Sequence, residues 1–91
     1  MIARRLIITG LVQGVGFRRW LMRESHGLGV AGWVRNRPDG AVEALLTGPE
    51  AAVEALEQLC HEGPHWAEVT GVVAERAQPG TPSGFGWLPL G

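Results

Sequence analysis

The chain contains a single cysteine, Cys60, among 91 residues. Neither an intramolecular disulfide nor a cysteine-built zinc site is open to it, and a reducing cytoplasm is the predicted compartment. Lysine is absent, so all eight basic side chains are arginines. No apolar run approaches the roughly 20 residues of a membrane-spanning helix. Met1-Ile2-Ala3-Arg4-Arg5-Leu6-Ile7-Ile8 has the basic-then-apolar order of a signal peptide, but its apolar part is short and runs into polar Gln13 without a cleavage-type ending. The sequence is therefore read as mature and soluble. A net charge of −1 argues against bulk nucleic-acid binding.

What charge there is lies unevenly. Residues 1–40 hold seven arginines against Glu24 and Asp39, a balance of +5, while residues 41–91 hold Arg76 against seven glutamates, a balance of −6. Arg4, Arg5 and Arg23 are read as solvated. A composition of 45% hydrophobic and 19% charged residues fits one globular domain over residues 1–91, with stability on the order of 5–10 kcal/mol.

The order of elements follows from periodicity and breakers. Residues 4–12, with Leu6, Ile7, Ile8, Leu11 and Val12, read as a central strand. Residues 17–27 read as a helix whose apolar stripe is Phe17, Trp20, Leu21 and Leu28, with Arg19, Arg23 and Glu24 toward water and Gly27 and Gly29 as the stop. A second strand spans 29–36, with Val30, Gly32, Val34 and Asn36 on one face. Arg37-Pro38-Asp39-Gly40 is a tight-turn signal, and 41–47 returns with Val42, Ala44 and Leu46 inward. A second helix over 50–62 carries Val53, Leu56, Leu59 and Cys60 at helical spacing, with Glu50, Glu54 and Glu57 outside. Residues 66–76 read as a fourth strand of ambiguous alternation, 79–84 as a loop, and Phe85, Trp87 and Leu88 as a short final strand. The order β-α-β-β-α-β predicts an α+β, ferredoxin-like two-layer sandwich: an antiparallel sheet with two helices on one face.

One stretch looks built for chemistry. In Gly10-Leu11-Val12-Gln13-Gly14-Val15-Gly16-Phe17-Arg18, closely spaced glycines let successive amide N–H groups face one concavity. A helix starting near Phe17 adds its first-turn N–H groups, and Arg18 adds a planar fork suited to phosphate. The candidate phosphate-binding residues are Gln13, Gly14, Val15, Gly16, Phe17 and Arg18. The right-handed crossover of a β-α-β unit puts the C-terminal ends of the first two strands on one sheet edge. Arg18 and Asn36 are therefore expected to meet over one small site.

These residues resemble a known family. The stretch from Gly10 to Arg18 resembles the first signature of the acylphosphatase family. Gly32-Trp33-Val34-Arg35-Asn36, followed by Gly40, Val42 and Gly48, resembles the second. The similarity extends through Pro64-His65-Trp66-Ala67-Glu68-Val69, and weakens over 78–84 and Gly86-Trp87-Leu88-Pro89, where strand character is poorer. The resemblance implies a small stand-alone enzyme that hydrolyses the carboxyl–phosphate anhydride of a small acyl phosphate, without metal or cofactor. It implies that Arg18 and the loop amides hold the phosphoryl group and that Asn36 positions the attacking water. Asparagine is no base, so the substrate phosphate is the expected proton acceptor. A monomer without nucleic-acid or membrane partners is expected.

Other readings compete. An RNA-recognition domain needs stacking aromatics on its central strands, and Leu6–Val12 and Ala41–Thr47 have none. Metal chaperones and ferredoxins need paired cysteines. Gly14-Val15-Gly16 lacks the third glycine, and the Gly-Lys-Ser/Thr, of nucleotide loops. A non-catalytic module for phosphate metabolites or a protein, and a hydrolase directed at carbamoyl phosphate, stay open. His26, His61 and His65 lack metal-ligand spacing and are assigned structural or solvent roles; Cys60 is assigned to the core. Trp33, Trp66 and Trp87 are weighed between an exposed aromatic surface and core packing, with core packing preferred.

Overall fold

Leu6 and Ile8 on the first strand, Val34 on the second, and Val42, Ala44 and Leu46 on the third are all shielded from solvent, on one side of a sheet. That alternation decides the layers. The computed structural model describes residues 1–79 and 84–87, the last of these through its backbone. The elements are β1 (Ile2–Leu11), α1 (Phe17–Leu28), β2 (Ala31–Asn36), β3 (Val42–Gly48), α2 (Glu50–Cys60), β4 (Glu68–Ala77) and β5 (Phe85–Trp87). The sheet order is β4-β1-β3-β2-β5. Leu88 and residues 80–83, part of the expected final strand and loop, lie outside the described residues.

The four long strands pair antiparallel, as expected, but β5 joins β2 in parallel, so the sheet is mixed at that edge. Register explains the direction. Ala77, Ala3, Thr47 and Ala31 share one row across the sheet. The chain thus leaves β4 at the edge where β2 begins, and a strand laid beside β2 from there runs along with it.

The two helices cover the apolar face. Phe17, Leu21 and Ser25 of α1 and Val53, Leu56 and Cys60 of α2 are buried, closing a core with Leu6, Ile8, Val12, Val34, Val42 and Leu46. Ser25 enters that core because its hydroxyl donates to Met22 O at 2.8 Å, which removes most of the cost of burying it. Burial pushes the Cys60 thiol up to about 12, so it is an inert apolar filler. Past Cys60 the chain tightens into i→i+3 bonds, His61 N–H to Gln58 O and Glu62 N–H to Leu59 O, and α2 ends two residues before the expected 62.

Expectations for the arginines of β1 and for the tryptophans are corrected. Arg4 and Arg5 are not simply solvated: Arg4 pairs with Glu57 at 2.9 Å, and Arg5 pairs with Glu43 at 2.6 Å and with Glu75 at 3.5 Å. Strand β1 has β3 and β4 on its two sides and α2 across its helix-covered face, and these supply Glu43, Glu75 and Glu57. Glu57, expected on the outside of its helix, is drawn in by that pairing. Among the tryptophans, Trp66 is 75% exposed, before the start of β4 and against His65. Trp33 is half-buried on the sheet face away from the helices, with the Arg35 guanidinium 5.4 Å from its ring centroid. Core packing fails for Trp66; the Trp87 side chain lies outside the described residues.

Candidate active site

Two buried side chains hold the glycine loop at its ends. Val12 and Phe17 are each 1% exposed, and Phe17 stacks edge-on with Trp20 at 5.3 Å. Between these anchors the backbone of Gly14 and Gly16 faces solvent. Gly16 is the N-cap of α1 with φ +80°, a left-handed conformation that costs an L side chain roughly 1–2 kcal/mol. The first helical bond runs from Trp20 N–H to Gly16 O. The N–H groups of Phe17, Arg18 and Arg19 therefore lack intrahelical acceptors, the N-cap glycine supplies no side-chain cap, and no acidic residue occupies the first turn. Such an end attracts anions.

Asn36 reaches the same place from β2. It pairs with Val42 on the helix-covered face, two residues beyond Val34. A cleft of about 170 Å³ is lined by Val12, Gly14, Gly16, Phe17, Arg18, Arg19 and Asn36. Its size is below the roughly 300–1,000 Å³ that encloses a drug-sized ligand, so it can admit the reacting end of a substrate and leave the remainder outside. Asn36 Oδ1 is buried and has no hydrogen-bond partner among the described residues. Burying an amide oxygen without a partner costs about 1–3 kcal/mol, and the cleft is where a partner can be supplied.

The cleft brings together Gly14, Gly16, Phe17, Arg18 and Asn36 and leaves out two of the other expected residues. Val15 packs against the core. The Gln13 side chain turns to the β2–β3 connection, donating from Nε2 to Arg37 O at 2.8 Å and Ala41 O at 2.9 Å. Arg19, read as facing water, is exposed and also lines the cleft. The signal was its place in the first helical turn, where even an outward residue lies beside the helix end.

Among the described residues, no aspartate, glutamate or histidine lines the cleft, and His26, His61 and His65 are exposed elsewhere. Asp39 is occupied in the turn. Its Oδ1 accepts from Ala41 N–H at 3.0 Å and its Oδ2 from Arg37 Nε at 3.2 Å. The Ala41 bond, followed by Arg37, holds its carboxyl below the usual range. A larger hollow of about 580 Å³ runs along α2 beside Arg4. The paired Arg4 and Glu57 line it, and its described lining has no run of backbone donors comparable to the glycine loop.

The acylphosphatase family model matches residues 4–86. A curated acylphosphatase from Acidiphilium cryptum (strain JF-5) is 51% identical over 85 residues, covering 93% of each chain. The crystal structure of acylphosphatase from Bacillus subtilis matches with a TM-score of 0.93 at 35% identity, over 97% of this chain and 99% of that one. The structure of an acylphosphatase from Coxiella burnetii matches with a TM-score of 0.92 at 30% identity, over 96% of this chain and 92% of that one.

Proposed function

The chain belongs to the acylphosphatase family and is an enzyme of that kind, and from this premise we propose how the cleft hydrolyses the carboxyl–phosphate bond of a small acyl phosphate. Arg18 and the backbone N–H groups of the loop Gln13–Phe17 take the phosphoryl oxygens. Asn36 Oδ1 accepts a hydrogen bond from a water and sets it in line with the leaving carboxylate. The water oxygen bonds to phosphorus, the bond from phosphorus to the acyl oxygen breaks, and the carboxylate leaves with that electron pair. The water's proton passes to a phosphate oxygen of the substrate.

The observation that carries this reading is the buried, unpartnered Asn36 Oδ1 in the same cleft as Arg18 and the uncapped end of α1. An acyl phosphate already has a good leaving group, so holding the phosphoryl oxygens and placing a water supply most of what the reaction needs. Asparagine can orient a water but cannot take its proton, and the described lining residues include no other base. The reading is completed as a cytoplasmic monomer that acts without metal; its one thiol, buried in the core, suits a reducing compartment.

The direct test follows phosphate release from benzoyl phosphate, with carbamoyl phosphate as comparator, with and without a chelator. Release above background that the chelator leaves unchanged is expected, and no release from either substrate would sink the reading. Arg18→Ala is expected to lower turnover by two to three orders of magnitude, roughly 3–4 kcal/mol of transition-state stabilisation. Asn36→Ala should abolish turnover while inorganic phosphate still binds nearly as in the wild type. A near wild-type rate in Asn36→Ala would remove the water-positioning role.

A further inference from the structure

We propose that Gln13 is a positioning residue, whose side-chain amide fastens the glycine loop to the neck of the β2–β3 hairpin and so fixes how far Asn36 sits from the phosphoryl-holding loop. This rests on the roles assigned to Arg18 and Asn36 above.

Gln13 Nε2 places its two hydrogens on two carbonyls, Arg37 O at 2.8 Å and Ala41 O at 2.9 Å. Those residues follow directly on the Asn36–Val42 pair of the ladder. They are joined to each other by Arg37 N–H donating to Ala41 O at 2.8 Å. Each carbonyl already accepts one hydrogen bond, Arg37 O from Gly40 N–H and Ala41 O from Arg37 N–H. Gln13 takes up the second acceptor site of both. One neutral amide thus bridges both strands at the residue pair next to Asn36, across 24 and 28 residues of sequence.

The attachment is to backbone, so it fixes Cα positions rather than a swinging side chain. Around the glycines themselves the loop is open: a Cβ built on Gly14 or Gly16 would meet nothing within 4 Å. The side chain type is also demanding. Methionine matches glutamine in length but has no donor, and a glutamate would set a carboxylate against two carbonyl oxygens. If the clamp is lost, the loop still offers its amides and Arg18 to phosphate. What is lost is the fixed distance from loop to Asn36, and misplacement by about 1 Å can cost on the order of 10²-fold in rate.

The test is a split between turnover and phosphate affinity. Wild type and Gln13→Met are compared at 25 °C with benzoyl phosphate as substrate and inorganic phosphate as competitive inhibitor, with circular dichroism as the check on folding. The expected result is a kcat reduced about tenfold or more, with the phosphate inhibition constant changed less than about threefold. An unchanged kcat would overturn the clamp. So would a rise in the inhibition constant at constant kcat, which would make Gln13 a binding residue instead. Should Gln13→Met fail to fold, NMR of the wild type decides: slowly exchanging Nε2 protons of Gln13 are expected, and protons exchanging as fast as those of a surface amide would refute the clamp. A wild-type protein without turnover would bring down the hydrolase reading and this inference with it; an active wild type beside an equally active Gln13→Met overturns the clamp alone.

Discussion

Glu43 lies between two arginines from neighbouring strands, accepting from Arg5 Nε at 2.6 Å on one oxygen and from Arg35 Nε at 2.7 Å on the other. Only 2% of its side chain is exposed. Burial pushes its carboxyl upward, but the bonds from Arg35 and Arg5 outweigh this and hold it below its ordinary value. A carboxyl depressed in the folded state takes up its proton more readily in the unfolded chain. Its contribution to stability is therefore complete above the ordinary value of 4.5 and lost as pH falls through the lower folded value. Glu43→Gln should cost about 1–2 kcal/mol at neutral pH, less than for a fully buried pair because both arginines keep about a third of their surface in water. Its stability should also fall less steeply than the wild type's below about pH 4.5. Thermal melts at pH 7 and pH 3.5 check both; a mutant whose melting point drops in parallel with the wild type's would remove Glu43 from the acid response. This residue was not legible in the sequence. Alternation places it outward, between Val42 and Ala44, and the register that sets Arg5 and Arg35 beside it is a property of three strands, not of one.

At the scale of elements, the turn, the first helix and the inward positions of β1, β2 and β3 could be read directly, because each depends on its own few residues: Pro38-Asp39-Gly40, the spacing of Phe17 and Leu21, the alternation of Val42, Ala44 and Leu46. Strand β4 could not be read this way. It is an edge strand with one open face, and Val73 is 58% exposed, so burial does not enforce a clean alternation. Its pairing with β1 also shifts between Thr9 and Gly10. At that bulge Gly10 has φ +118°, and a Cβ there would lie 2.2 Å from Glu68 O and 2.8 Å from Thr70 N. Gly10 opens the first signature, yet its place is structural: it lets β1 bend into β4 just before the loop. Gly10→Ala must push the β4 backbone aside, and a loss of about 2–4 kcal/mol is expected. Urea titration measures it, and a midpoint within error of the wild type's would show that the bulge tolerates a side chain.

Across the whole molecule, the opposed charges of the two halves of the sequence meet in the fold. Arg4 pairs with Glu57, Arg5 with Glu43 and Glu75, and Arg35 with Glu43. The basic half thus spends much of its charge on the acidic half across β1, β3, β4 and α2. Helix α1 carries the exposed Arg19 and Arg23, and the cleft sits at its N-terminal end. The uneven sequence charge therefore becomes a local positive field at the site in a chain whose net charge is −1. The location of that field was legible only in part, because the arginine count could not tell that Arg4, Arg5 and Arg35 pair with glutamates of the second half.

An anionic substrate should feel that field, and salt should weaken it, since the screening length falls from about 30 Å at 0.01 M to about 8 Å at 0.15 M. Over that range the KM for benzoyl phosphate is expected to rise about two- to fivefold with kcat nearly constant, because distant charges aid approach rather than the chemical step. Arg19 and Arg23 separate the alternatives. Both are exposed, but only Arg19 lines the cleft. Arg19→Ala should raise KM at low salt and flatten its salt dependence, whereas Arg23→Ala, about one turn further along the helix, should have a smaller effect of the same sign. Equal effects would mean that only the net charge of α1 matters. A KM indifferent to salt in the wild type would mean that substrate is held by short-range contacts alone.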